Sequence, residues 1–429
     1  MASFQPHHRT LSIVAIAVGL GSLGCEQVLG AGTGVDRVEP SAVRSAIGGS
    51  DAALVIDVRD RREYEAAHIP GALAIPFDGV DGFFARTEVS KDKPVVVVCA
   101  HGRLSILAAA SVRAGGFGNV RSLAGGIQRW QAEGHAVEPG PGNAVPPDQL
   151  KPPFMPLSKF EQVIVVVTGI VIKPVYMLLA LVVALWLRRS KDASVVLVRR
   201  GMLAFFAGEA FCALDWMVGR WSEVHPIDLL HGAGMVAMGV LAPWGLFRIL
   251  DDRFLHFANP ADRCTVQRFC GHCWKREAVS CAPHNLFLLA APALGVLALV
   301  PLCGPILSRH WESQVFLSSE TYGVPIINQL IEWRLFPILG ALLMLLTVFR
   351  LRGGPASIQR AQLPFFGGFG LLSYALFRFL LHNTFQGPLF WSDFWEEVTE
   401  LLAVLTIALF LWFFRVQLGL TKEHSHETA

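Results

Sequence analysis

Cys99 occupies the place in this chain where a reactive group is simplest to build. It closes the apolar run Pro94-Val95-Val96-Val97-Val98 and is followed by Ala100-His101-Gly102-Arg103, after which helix-forming residues resume at Leu104. A thiol there faces a helix N-terminus and the free N–H groups of a Gly-containing loop, both of which favour an anion, and Arg103 adds positive charge. The residue types point to a nucleophilic thiolate at Cys99, with Ala100, His101, Gly102 and Arg103 as the cradle of an anionic substrate. The alternative is an inert core cysteine, and a Gly-containing loop after a strand is a poor place to bury one.

Two further groups have the composition of sites. Cys264, Cys270, Cys273 and Cys281 lie within 18 residues, with His272 and His284 close by. Four such sulfurs can close a tetrahedral site, for which zinc is the expected metal; an iron–sulfur cluster or a redox-active Cys270/Cys273 pair is the alternative. Glu209, Cys212 and Asp215 recur every three residues within an apolar stretch, and His231 opens the next one. Ionisable groups at membrane depth line a cavity or pair with one another. These four, joined by His382, are the expected polar site for a metal, for protons or for a small anion. Asp393, Glu396 and Glu397 begin the last apolar stretch and are expected to reach the headgroup region, with Glu400 one turn further on.

The elements that must carry these residues change character along the chain. Of 429 residues, 53% are hydrophobic and 16% charged, against about 25% charged in ordinary soluble domains. Net charge is +2, with no Lys/Arg block, so no nucleic-acid partner is expected. Residues 1–24 read as a signal peptide or N-terminal anchor ending at Cys25, a bacterial lipobox-like site where lipidation is expected, although Ser22 stands where Leu is commonest. Between residues 36 and 138, short β-branched strands (Ala53–Ile56, Pro94–Val98) alternate with helical stretches (Arg61–Ala67, Leu104–Ala114), an α/β domain with five parallel strands. Residues 139–160 carry Pro139, Pro141, Pro146, Pro147, Pro152, Pro153 and Pro156 and read as a stiff, extended linker. The remainder, 161–418, reads as an all-α polytopic membrane bundle of seven helices near 163–187, 201–218, 227–247, 285–307, 335–350, 364–384 and 397–416, with a Cys-rich loop at 248–284. The second and fifth are short for a bilayer and are expected to extend into their polar flanks or to sit tilted and recessed.

Four motifs in the α/β part resemble the rhodanese-like family: Asp57-Val58-Arg59; Glu65 followed by His68-Ile69-Pro70-Gly71-Ala72; the Cys99 loop; and Leu123-Ala124-Gly125-Gly126-Ile127 with Trp130. The resemblance implies a sulfurtransferase fold in which Cys99 becomes a persulfide and passes sulfane sulfur to a nucleophilic acceptor. It also implies that Asp57 and Arg59 form a structural pair supporting the loop, and that His68 and Trp130 are packing residues. Many single-domain members carry Arg or Lys five places after the cysteine, where this chain has Leu104. Phosphatase and arsenate-reductase loops require arginine six places on, where it has Ser105. No transporter or receptor family is recognised in residues 161–429.

Loop charges set the expected orientation. One set of loops holds sixteen Lys and Arg, from Arg188 to Lys422, while the opposite set holds Arg220, Arg309 and Arg334. The charge-rich side belongs inside. The expectation is a bacterial inner-membrane protein with a periplasmic head and a cytoplasmic C-terminus, which places the Cys264–Cys281 loop in a reducing compartment. The expected partners are thiosulfate or another sulfane-sulfur donor, a thiol acceptor and membrane lipid, and sulfur transfer is expected to need no cofactor. The alternatives are a relay of sulfur or reducing equivalents through Cys212 or Cys303, and a sulfur or redox sensor.

Overall fold

Leu54–Asp57 and Val95–Val98 pair in parallel, and the alternation of their side chains divides the head into two cores. Ile56, Val95 and Val97 pack on one side with Ile106, Ala109 and Val112. Val55, Val96 and Val98 pack on the other with Val43, Tyr64, Ile127 and Trp130. A strand buried on both faces has no polar alternation, which is why Leu54–Ile56 and Val95–Val98 are uninterrupted apolar residues, with Asp57 at the strand end. The computed structural model describes residues 30–47, 52–218, 226–255, 282–306, 310–352, 358–385 and 390–420. The segment expected to be a signal peptide or anchor, with Cys25, and Cys264, Cys270, Cys273 and Cys281, lie outside the described residues.

In chain order the head contains β1 (Asp36–Val38), α1 (Pro40–Ile47), β2 (Leu54–Asp57), α2 (Arg61–Ala66), β3 (Leu73–Ala74), α3 (Val80–Arg86), β4 (Val95–Val98), α4 (Leu104–Ala114), β5 (Val120–Leu123), α5 (Gly126–Ala132), β6 (Asn143–Ala144) and α6 (Pro147–Leu150). The sheet is all-parallel in the order β1-β5-β4-β2-β3-β6. It has six strands where five were expected, and the sixth comes from the stretch expected to be linker. β6 is a two-residue edge strand on Leu73 and Ala74, and α6 begins with Pro147 at its first turn, where the missing N–H and fixed φ are harmless. Arg86 holds this return in place by donating to the carbonyls of Asp148, Lys151 and Pro152. Prolines stop neither an edge strand nor a helix start, so the spacer expectation fails over residues 143–152.

A second addition comes from far along the chain. Residues 305–314 and 318–330 belong to the same compact unit as the head. Their strands β7 (His310–Val315) and β8 (Ser318–Gly323) pair with each other, and Ile326 and Leu330, one helical turn apart, enter the core beside Val95 and Ile106.

The other unit is helical: α7 (Lys159–Arg189), α8 (Ala193–Val218), α9 (Pro226–Leu250), α10 (Ala282–Leu297, followed by the short turn Leu299–Cys303), α11 (Ile326–Leu351, shared with the head at its first turn), α12 (Ile358–Thr384) and α13 (Phe390–Phe413). Each of the seven expected segments overlaps one of these helices, with 285–307 and 397–416 running past the helix ends at Cys303 and Phe413. The two short ones do extend N-terminally, α8 to Ala193 and α11 to Ile326. Among the described residues, five helices are long and apolar enough to cross a membrane: α7, Leu229–Arg253, Leu286–Cys303, α11 and α12. Five of the seven expected spans thus have the length and composition of a membrane crossing among the described residues.

Small residues draw these helices together. A Cβ on Gly234 of α9 would lie 2.6 Å from Gly208 Cα of α8, and one on Gly370 of α12 would lie 2.9 Å from Val240 N of α9. Such close approach is typical of helix packing in lipid, where backbone contact replaces the hydrophobic drive. Two π-turns, Thr168–Ile172 in α7 and Ile331–Leu335 in α11, each precede a proline, Pro174 and Pro337. A proline offers no N–H to the carbonyl four residues back, and the helix re-registers around the gap.

Candidate active site

β4 delivers Cys99 to the C-terminal edge of the sheet, the customary place for a site in an open parallel sheet. The residue is 3% exposed and joins the first core, so the loop does bury it, against expectation, because Gly102 folds back onto the sulfur. Gly102, at φ +88, turns its amide back on the strand end and donates to Cys99 Sγ at 3.1 Å. Only a glycine adopts that backbone readily. The thiol donates in turn to Ser105 Oγ at 3.3 Å, and Ser105 shares a hydrogen bond of 2.8 Å with Ser122 Oγ on β5. Ala100 is half-buried and Gly102 buried, while His101 and Arg103 are exposed at the rim. All five loop residues are thus together, ahead of the first turn of α4.

The loop is braced from the neighbouring turn. Gly125 and Gly126 both have positive φ, +70 and +61, and they open α5 directly under the loop. The amides of Ile127 and Gln128, at the N-terminus of α5, donate to the carbonyls of Cys99 (2.9 Å) and Ala100 (3.2 Å).

Asp57 and Arg59 lie one strand away, Asp57 in register with Val98. Arg59 grips the Asp57 carboxylate through Nε (2.9 Å) and a terminal nitrogen (2.6 Å), and that nitrogen also donates to Ala67 O at 2.6 Å. At 1% and 8% exposure the pair is buried and self-contained, tying β2 to the end of α2. His68 stacks on Tyr64 with ring centroids 3.9 Å apart, and Tyr64 Oη donates to Ala72 O at 2.6 Å, its hydroxyl pushed up by burial. Trp130 donates to Ala136 O. These residues pack the second core and do not reach the thiol. Ser105 and Ser122 are the contacts that the sequence reading missed: a lone serine in a helix and another in a strand carry no pattern, although Ser105 was visible as the occupant of the arginine position in the rival loop.

Within the helical unit, Glu209, Cys212 and His231 come together, with one donor atom from each lying within 4.8 Å of the others. Of Asp215 only the backbone, in α8, is described. His382 stands elsewhere, beside Trp333. Glu396 and Glu397, expected to reach the headgroup region, each meet a cation from another helix; Glu396 is buried and Glu397 half-buried. Glu397 Oε1 meets Lys173 Nζ at 2.9 Å, and Glu396 pairs with Arg378, which also reaches Glu332 Oε2 at 3.3 Å. Lys173, Tyr176, Glu332 and Arg378 escaped the sequence reading. The available signal was a lone charge inside an otherwise apolar run.

Residues 39–133 match the family model for the rhodanese-like domain. The chain is 39% identical over 80 residues to the thiosulfate sulfurtransferase GlpE of Pseudomonas savastanoi pv. phaseolicola, covering 19% of this chain and 74% of that one. It is 38% identical over 95 residues to GlpE of Pseudomonas entomophila, covering 22% and 84%. Among solved structures, the rhodanese-related protein from Thermoplasma volcanium is 28% identical, with a TM-score of 0.21, over 24% of this chain and 97% of that one.

Proposed function

Because this chain belongs to the rhodanese-like family through residues 39–133, we propose that it is a membrane-anchored sulfurtransferase that carries sulfane sulfur on Cys99. The Cys99 thiolate attacks the outer sulfur of thiosulfate; the sulfur–sulfur bond breaks and sulfite leaves with the bonding pair, so that Cys99 becomes a persulfide. A thiolate acceptor then attacks the terminal persulfide sulfur, takes it away and regenerates the Cys99 thiolate. The Gly102 amide, 3.1 Å from Sγ, is the observation that carries this reading: a fixed N–H on the sulfur stabilises the anion at both ends of the cycle without reorganising. Arg103, exposed at the loop rim, supplies the positive charge for the anionic donor, with the backbone of Ala100 and His101 completing the cradle. Asp57 and Arg59 support the loop from β2 without touching substrate.

The head works on the periplasmic side and the C-terminus lies inside, a placement supported by the distribution of Lys and Arg among the loops. Cys25 is the lipid attachment point, and Cys264, Cys270, Cys273 and Cys281 hold a structural zinc; both assignments rest on spacing. The decisive experiment uses the full-length protein in detergent: sulfite release from thiosulfate in the presence of an acceptor thiol or cyanide, with a sulfur adduct of Cys99 read by mass spectrometry. Cys99→Ser is expected to abolish both. Sulfite release by the serine variant would remove Cys99 as the nucleophile.

A further inference from the structure

The polar cluster of the helical unit has too much negative charge for the cations around it. Glu209, Glu397 and Glu400 bring their carboxylates within 4.8 Å of one another, and among the described residues Lys173 is the one ammonium set between them, 2.6 Å from Glu209 Oε2 and 2.9 Å from Glu397 Oε1. Arg378 is committed to Glu332 and Glu396. Three carboxylates against one ammonium leave an excess of two negative charges in a buried place, where uncompensated charge is costly.

The atoms not engaged by Lys173 point to where a second cation fits. Tyr176 Oη lies 2.7 Å from Glu209 Oε2 and also meets Glu397, its one proton shared between the two, while Lys173 reaches both carboxylates. Glu209 Oε1 has no hydrogen bond; it faces His231 Nδ1, also without one, at 3.3 Å. Glu209 is fully buried and His231 is 7% exposed. The sulfur of Cys212, one turn along α8 from Glu209, completes the trio within 4.8 Å. Glu400 Oε2, in a residue 7% exposed, is likewise buried with no hydrogen-bond partner among the described residues.

We propose that Glu209, Cys212 and His231 bind a divalent transition-metal ion of the zinc class, with Lys173 as the fixed neighbouring cation. The donor set is one carboxylate oxygen, one sulfur and one imidazole nitrogen. Hard ions such as magnesium and calcium avoid sulfur and imidazole, whereas zinc and its neighbours take all three. Metal–ligand distances of roughly 2.0–2.3 Å place tetrahedral donors about 3.3–3.8 Å apart, and the Glu209–His231 pair is already at that spacing. Three protein ligands leave a fourth position for water or substrate, the pattern of reactive rather than purely structural zinc. Counting the Cys212 thiolate that binding creates, the ion lowers the excess from two negative charges to one. The backbone contact of Gly208 and Gly234 sets α8 and α9 at the distance the trio needs.

The test uses the full-length protein in detergent with Cys264, Cys270, Cys273 and Cys281 each changed to Ser, so that the loop cannot report. The protein is dialysed against Zn²⁺ alone or Co²⁺ alone. The expected result is one metal per chain and, with Co²⁺, a thiolate-to-cobalt charge-transfer band together with tetrahedral visible bands. Cys212→Ala should remove the charge-transfer band. His231→Gln should weaken binding by at least the roughly tenfold that loss of even an outer-shell partner brings, with helical circular dichroism and monodisperse elution retained. Absence of stoichiometric metal in the parent, or a cobalt spectrum unchanged in both variants, overturns the proposal, and the carboxylates then hold protons instead.

Discussion

Gly126 faces the Cys99 carbonyl so closely that a Cβ on it would lie 2.3 Å from that oxygen. The next amide, that of Ile127, donates to the same oxygen at 2.9 Å. The glycine is what allows the N-terminus of α5 to hold the strand end that carries the thiol.

Gly126→Ala is therefore expected to damage the site as well as the fold. The left-handed backbone alone costs roughly 1–3 kcal/mol for a residue with a Cβ, and the clash is with backbone that must move. Thermal denaturation of the full-length protein should show a lowered head transition, and sulfite release should fall more than tenfold. Full activity with an unshifted transition would contradict the bracing role.

Arg103→Ala should act on donor binding. An exposed guanidinium at the loop rim meets an anionic donor before and during transfer, so KM for thiosulfate should rise about tenfold, equivalent to about 1.4 kcal/mol, with kcat little changed. A fall confined to kcat would place the arginine in the chemical step instead.

Arg59→Leu leaves the carboxylate of Asp57, which is 1% exposed, buried without its partner. Breaking such a pair from one side costs about 3–5 kcal/mol. Chemical denaturation should show that loss, and the double change Asp57→Asn with Arg59→Leu should recover part of it. If the single variant is as stable as the parent, the pair does not support the head.

Asp192 caps α8, accepting from the amides of Ser194 (2.8 Å) and Val195 (3.3 Å), and pairs with Arg253 at 2.9 Å. Burial pushes its carboxyl up, but the Arg253 guanidinium and the two amides outweigh this and hold it below the usual carboxylate range. A carboxyl held low in the folded chain adds stability above the ordinary pKa of about 3.9, and the gain is lost as pH falls through the folded value. Asp192→Ala should cost about 1 kcal/mol at pH 7, with the difference from the parent shrinking below about pH 4. A pH-independent difference would assign the loss to packing.

The loop charges predict that a reporter fused after Leu420 is active only if it folds in the cytoplasm, and that the head is cut by protease added to spheroplasts. The reverse pattern would invert the whole chain and put the Cys99 site inside.

The primary sequence alone was enough for the parts whose signal is local. Four valines in a row before Cys99 mark a strand buried on both faces, and a glycine within the next three residues marks a loop. The run of motifs from Asp57 to Trp130 identifies the family, and apolar stretches of membrane length locate the helices. The tertiary structure decided whatever depends on residues distant in the chain meeting in space. Residues 143–152 read as spacer because proline statistics are local, yet an edge strand and a first helical turn accept proline once Leu73, Ala74 and Arg86 are there to receive them. Ile326 and Leu330 could not be assigned to a core formed more than 200 positions earlier. Ser105 became a partner of the thiol, and Ser122 of Ser105, only when β4, α4 and β5 were adjacent. Glu396 and Glu397 gave no sign of their pairing because their balancing cations, Arg378 and Lys173, sit on other helices. Charge burial is decided by pairs, and a linear sequence shows one member at a time.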